Sequence, residues 1–93
     1  MNYQALGEYH AYRKQAEDAA MKRFALLHNL STHTKALADN PGKPVDISEI
    51  RAAVDQIDAA ERELQAAIKR ANEAAALCGE SGITAENLMR KQG

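Results

Sequence analysis

Aromatic residues and cysteine are scarce in this chain of 93 residues. It contains no Trp, one Phe, three Tyr and one Cys. A single Cys cannot form a disulfide within the chain, which favours a reducing compartment such as the cytoplasm. The two prolines both lie in the short segment 41–44, so the rest of the chain is free of the residue that breaks helices. Alanine, the best helix former, fills about a fifth of the positions. The composition therefore predicts an all-α protein.

Long apolar runs and an excess of one charge are also absent. The longest uninterrupted apolar run, 74–78, is far shorter than the ~20 residues that span a bilayer as a helix. The N-terminal stretch lacks the basic start and apolar run of a secretory signal. Twelve basic side chains against 13 acidic ones argue against a protein whose main task is to coat nucleic acid or an anionic membrane. We therefore expect one soluble, cytoplasmic domain, residues 1–93.

The clearest pattern is a heptad repeat in residues 47–78. Asp46 is the expected N-cap of this helix, and Gly79 is expected to end it. Apolar residues recur at steps of three and four, which is the seam of a coiled-coil helix: Ile47, Ile50, Val54, Ile57, Leu64, Ile68, Ala71, Ala75 and Cys78. Beside this seam runs a row of alanines spaced by seven, which we expect to pack against a second copy of the chain: Ala53, Ala60, Ala67 and Ala74.

Residues 3–38 predict a first long helix with a wide apolar arc. At about 100° per residue the arc covers about 160°, more than one partner helix would hide. The break at 39–44 makes the two helices antiparallel neighbours, and Thr84 caps a short third helix predicted at 84–91. The inward residues of the first helix are Leu6, Tyr9, Ala16, Ala20, Phe24, Leu27, Leu30, Thr34 and Leu37, with Tyr12, Ala19 and Leu26 widening the arc.

Two long helices cannot bury both apolar stripes against each other alone, because most of the surface of a hairpin stays in water. The direct remedy is a second copy, so that two hairpins form a four-helix bundle. The alternative is a monomer in which the third helix folds back on the open end of the hairpin.

Glu61 is unusual because it occupies a seam position among isoleucine and leucine. Arg23 lies in the stripe of the first helix at about the same level. A charge pair on a seam normally fixes register or partner choice. The alternative is an enzyme that uses Glu61 and a histidine as acid and base, for which no second catalytic group is evident beside Glu61. We expect that the protein is not an enzyme.

The histidines and the cysteine also have structural interpretations. His10, His28 and His33 lack the spacing of metal ligands, so we predict no metal site and no cofactor. Cys78 lies on the apolar seam at a helix C-terminus, where the helix dipole disfavours a thiolate. We expect it to be a small core residue.

No motif identifies a function, so the functional hypotheses rest on the surface. The first is a non-enzymatic protein–protein interaction module, a homodimer of hairpins in the style of the small modulators of larger enzymes that bacteriophages carry. Its expected partner-binding residues are Tyr3, Tyr12, Met21, Arg23 and Leu26. The alternative is a small nucleic-acid-associated bundle that binds phosphate through two basic patches: Arg13, Lys14, Lys22 and Arg23, and Lys69, Arg70, Arg90 and Lys91.

Overall fold

The chain folds as a long helical hairpin with a short third helix. The computed structural model describes residues 2–92, and the side chains of residues 2–88. Its helices are α1 (Tyr3–Asp39), α2 (Ile47–Cys78) and α3 (Ala85–Gln92). Helix α1 packs antiparallel on α2, and α3 packs against α1. The predicted all-α hairpin is confirmed, and each predicted helix boundary lies within one residue of the observed one.

Local capping interactions explain these boundaries. The side chain of Asp46 accepts a hydrogen bond from the Glu49 backbone N–H at 3.2 Å, as expected of an N-cap. At the other end of α2, Gly79 has a φ of 79°, a left-handed conformation that glycine adopts without steric cost. Thr84 Oγ1 accepts from the Asn87 backbone N–H at 3.2 Å and so caps α3. Asn2 caps α1 in the same way, through the Ala5 N–H.

The contact between α1 and α2 follows a repeat of seven in both helices. On α2 it consists of Ile50, Ala53, Ile57, Ala60, Leu64, Ala67, Ala71, Ala74 and Cys78, all of which are buried or half-buried. On α1 it consists of Ala5, Tyr9, Tyr12, Ala16, Ala19, Arg23, Leu26, Leu30, His33 and Leu37, again all buried or half-buried. We call this double row the seam.

The alanine row that we assigned to a dimer contact lies inside this seam. Ala60, Ala67 and Ala74 are buried within the single chain, and Ala53 is half-buried. A methyl side chain lets the backbone of α1 approach α2 more closely than isoleucine or valine would. The larger residues that we expected in the seam, such as Val54, are therefore displaced to one flank of α2. The alanine row is not open to a second copy, and this corrects our interpretation of it.

Burial is confined to one half of the hairpin. The buried residues of α1 all precede Met21, and those of α2 all follow Ala59. All of them except Ala60 form one cluster with Ile83 and Leu88. We call residues 3–20 and 60–92 the open half, and residues 21–59 the loop half. Every residue of the loop half is described, and none of them is buried.

The outline of the molecule explains this difference. The molecule is elongated, with Cα extents of 62 × 25 × 13 Å, and the hairpin itself is a single layer of two helices, α1 and α2. The open half gains a second layer on one side from the C-terminal segment, but the loop half has none. Phe24 and Leu27, which we expected to face inward, are 57% and 38% exposed, because the seam contact does not reach their side of α1.

Candidate interaction surfaces

The hairpin has two broad sides, which its side chains distinguish clearly. On one side, two shallow hollows lie over the seam and are bordered by residues of both helices. We call this side the groove face. The other side of the hairpin, which faces away from the two hollows, is formed by residues of both α1 and α2. We call that side the apolar face.

The groove face has a floor of small and apolar side chains with charged and amide borders. The first hollow lies over Ala19 and Ala67 and is bordered by Gln15, Asp18, Lys22, Glu63, Ala66 and Arg70. The second lies over Leu26, Leu30 and Ala53 and is bordered by Asn29, His33, Glu49 and Gln56. Both signs of charge occur around the first hollow, so its borders can pair with either charge on a ligand.

The apolar face carries two rows with the same repeat of seven. The row on α1 is Leu6, Arg13, Ala20, Leu27 and Thr34, and the row on α2 is Ala75, Ile68, Glu61, Val54 and Ile47. In the open half this face is covered by other residues of the chain. Ala20 and Ala75 are buried there, and Leu6 and Ile68 pack against the buried cluster. In the loop half it is exposed to solvent, with Val54 and Ile47 50% and 52% exposed. Phe24 lies at the outer edge of this part of the face, because it is four residues after Ala20 and three before Leu27. One continuous face is therefore covered over half of its length.

The C-terminal segment, residues 80–88, provides this cover. Ile83 and Leu88 are buried in the cluster that also contains Tyr9 and Cys78. The Asn72 side chain fixes the segment on α2, because its Oδ1 accepts from the Ile83 N–H at 2.7 Å and its Nδ2 donates to the Ile83 carbonyl at 3.0 Å. The Tyr9 hydroxyl adds a longer hydrogen bond, 3.4 Å, to the Ser81 carbonyl. Met89 follows Leu88 in α3, but its side chain lies outside the described residues.

Arg23 and Glu61 meet across the seam, as their levels in the two helices predicted. Arg23 Nε donates to Glu61 Oε2 at 2.7 Å, and the two side chains are 41% and 42% exposed. The second carboxylate oxygen of Glu61 accepts from Gln65 Nε2 at 3.1 Å. An ion pair this exposed contributes little to stability, about 0–1 kcal/mol. It marks the boundary between the open half and the loop half.

The five predicted partner-binding residues do not form one patch. Tyr3 and Met21 are exposed, and Met21 lies on the side of α1 opposite the seam. Tyr12 is half-buried in the seam, with the guanidinium of Arg70 5.8 Å from its ring centre. Leu26 lines the second hollow of the groove face, and Arg23 is held by Glu61 as described above.

The first basic patch is largely neutralised by carboxylates of the same chain. Arg13 pairs with Glu17 at 3.5 Å, and Lys14 pairs with Asp18 at 2.9 Å. The hydrogen bond and the charge of Asp18 raise the pKa of Lys14 above its ordinary value. Of the second patch, Arg70 lies over Tyr12, and the side chains of Arg90 and Lys91 lie outside the described residues.

The histidines are spread along α1 and have separate environments. His10 contacts the ring of Tyr9 edge-on, with ring centres 5.3 Å apart, and His28 stacks on Phe24. His33 borders the second hollow, where its Nε2 is buried without a hydrogen-bond partner among the described residues. The Cys78 thiol is buried, as expected of a core residue, and contacts the Ala75 carbonyl.

Sequence reasoning missed the four residues that stand out most on the apolar face. We placed Phe24, Leu27, Ile47 and Val54 inside the hairpin because each fits a repeat of three and four. Periodicity gives the spacing of an apolar stripe along a helix but not which of two neighbouring rows faces the partner helix. On α2 the row at the centre of the contact contains the alanines, and the row with Val54 and Ile47 lies beside it. Asn72 was also missed, because an asparagine on a helix flank has no local signature of a tertiary contact.

Comparisons with known proteins give no further identification: no protein-family model, curated protein or solved structure matches the chain. Among the described residues, no helix combines the length and the apolar character needed to cross a membrane.

Proposed function

We propose that this protein is a non-enzymatic protein–protein interaction module that works as a homodimer and modulates a larger partner protein, in the style of phage accessory proteins. The observation that carries the proposal is the loop half, in which large apolar side chains lie exposed and no described residue is buried. Soluble monomers rarely expose contiguous apolar patches of this kind, and such patches mark sites of interaction. A single buried Cys is the reason that we place it in a reducing cytoplasm.

The groove face is the surface that we assign to the heterologous partner. Its floor of Ala19, Leu26 and Ala67, with charged residues on both borders, has the form that receives the apolar side of an amphipathic helix. Leu26 is the member of our predicted set that lines this surface, and Tyr12 lies beneath Arg70, which borders the first hollow. Glu61 is not a free acid–base group in this arrangement, because both of its carboxylate oxygens accept hydrogen bonds.

A nucleic-acid role has less support. Three of the four cations in the first basic patch form ion pairs with carboxylates of the same chain: Arg13, Lys14 and Arg23. Phosphate binding would have to break these pairs, and it would weaken steeply with salt. Retention on immobilised DNA or RNA that persists at physiological salt would favour this alternative.

The test of the proposal is affinity capture from an extract of the source cells with matched variants. Lys22→Glu combined with Arg70→Glu reverses the charge on both borders of the first hollow. Lys69→Glu, on the outer side of α2, makes the same kind of change away from the groove. We expect a protein that the wild type and Lys69→Glu retain and that the double variant loses. If every captured protein binds all three baits equally, the groove face is not the binding surface.

A further inference from the structure

We infer that the open part of the apolar face is covered by the same part of a second copy, and that the two hairpins run in opposite directions. This inference rests on the proposed interaction role and names the occupant of one of its two surfaces. The occupied residues are Phe24, Leu27, Ile47 and Val54. Each copy would supply the second helix layer that the loop half of the other copy lacks.

The size of the open area fits a second copy. In the loop half α1 runs for 21–39 and α2 for 47–59, about 29 and 20 Å at 1.5 Å per residue. Two packed helices with their side chains are about 20 Å wide. The footprint is therefore about 500 Å² on each copy, or about 1,000 Å² in total, which is the least area that a specific interface needs. Stacking two layers of two helices on this footprint gives a four-helix bundle.

The C-terminal segment determines the direction. In the open half it already lies on the apolar face, fixed there by Asn72 and Ile83. If the two hairpins ran in the same direction, the two C-terminal segments would lie between the layers and hold the loop halves apart. When the hairpins run in opposite directions, the two loop halves overlap fully and each C-terminal segment stays outside the overlap.

The charges beside the apolar rows agree with this arrangement. Arg51 and Asp58 are exposed, lie seven residues apart on the outer edge of the apolar face of α2, and have Val54 midway between them. Arg62 of the same chain pairs with one carboxylate oxygen of Asp58, Oδ2, at 3.1 Å, which leaves Oδ1 for a second cation. Val54 also lies near the middle of the loop half. A two-fold axis at Val54 therefore brings Arg51 of one copy opposite Asp58 of its partner, twice. Complementary charges of this kind fix the register of an interface.

The first measurement is the absolute mass of the wild type by light scattering on a sizing column. We expect about twice the chain mass of 10.2 kDa. Val54→Asp brings two carboxylates together at the axis, and like charges that face each other in an interface weaken binding about 100-fold or more. Gln56→Asp introduces the same residue on the groove face, two positions away, and should leave the dimer intact. A monomeric wild type, or a dimer indifferent to Val54→Asp, would overturn the inference.

A charge exchange tests the register without depending on the stability of one variant. Arg51→Asp and Asp58→Arg should each weaken the dimer, and the two changes together should restore it. Failure of the double variant to recover would contradict the pairing.

Spin labels attached to Leu77→Cys, in a Cys78→Ala background, test the relative direction of the two hairpins. They should lie about 70 Å apart in the opposite orientation, because Leu77 is roughly 23 helical residues from the axis along the hairpin. A separation of about 30 Å would mean that the hairpins run in the same direction. None of these measurements reports on binding at the groove face. A monomeric result would therefore overturn the homodimer but leave the heterologous partner of the proposed function to be decided by affinity capture.

Discussion

Replacing Asn72 with alanine should release the C-terminal segment from the hairpin while leaving the hairpin folded. Asn72 is the only side chain of α2 that hydrogen-bonds to the described backbone of residues 80–88, through its contacts of 2.7 and 3.0 Å with Ile83. Alanine removes both hydrogen bonds and leaves the Ile83 N–H and carbonyl without partners. The seam itself is unaffected, because Asn72 lies on its flank.

The magnitude follows from the two hydrogen bonds. Each contributes about 0.5–1.5 kcal/mol net, so docking of the C-terminal segment should weaken by about 1–3 kcal/mol. Since about 1.4 kcal/mol corresponds to a tenfold change in an equilibrium constant, the undocked population should rise about 5- to 150-fold. The burial of Ile83 and Leu88 keeps the docked state favoured.

Amide hydrogen exchange followed residue by residue measures this directly. Exchange of the α3 amides should accelerate by the factor above, and amides in the middle of the seam, such as that of Ala71, should keep their rates. Gln65→Ala is the matched control, because Gln65 lies one heptad earlier in the same row and hydrogen-bonds only to Glu61. Unchanged exchange in α3, or equal acceleration throughout the chain, would refute the assignment of Asn72 as the attachment point.

Three further substitutions test the packing, the cap and the ion pair. Ala71→Leu places a large side chain at a fully buried position and should lower the free energy of unfolding by about 1–3 kcal/mol, with a fall in Tm of about 4–8 °C per kcal/mol. The control, Ala52→Leu at an exposed position, should change Tm little, and equal effects would mean that the seam is not close-packed. Gly79→Ala should lower the free energy of unfolding by about 1 kcal/mol, because the φ of Gly79 is 79°. Gly7→Ala, in a helix with open space around the glycine, should raise it by about 0.5–1 kcal/mol. Urea denaturation measures both changes, and a change of the same sign in the two variants would contradict the prediction. Glu61→Leu should keep the fold and raise Tm while loosening the specificity of association, because the pair with Arg23 is half-exposed; a fall of many degrees would show that the pair is essential.

The parts of the fold that depend on local chemistry could be predicted from the sequence. Asp46, Gly79 and Thr84 act on backbone groups within a few residues, so the helix boundaries follow from them directly. The phase of the α2 seam could not be predicted, because it depends on how closely the two backbones approach. Alanine at 60, 67 and 74 permits a closer approach than Ile68 or Val54 would, and this preference exists only when both helices are present.

The functional surfaces were predictable only in outline. The excess of apolar surface was visible in the wide arc of α1, and it indicated that the hairpin alone is incomplete. Which part remains open depends on where the C-terminal segment lies, and a tertiary contact at Asn72 decides that. The exposed set Phe24, Leu27, Ile47 and Val54 could therefore be recognised only once that segment was placed.

The confinement of burial to the open half also bears on how the chain reaches its fold. A helical hairpin is usually expected to assemble outward from its turn, because contacts near the turn close the shortest loops. Here the contacts near the turn leave every residue at most half-buried, and the buried residues of α1 and α2 that lie nearest in sequence are Ala20 and Ala60. The entropy of closing a loop of about 40 residues must be lost before any buried contact forms. The rate-limiting step should therefore be the encounter of the two helices in the open half, with the turn ordering late.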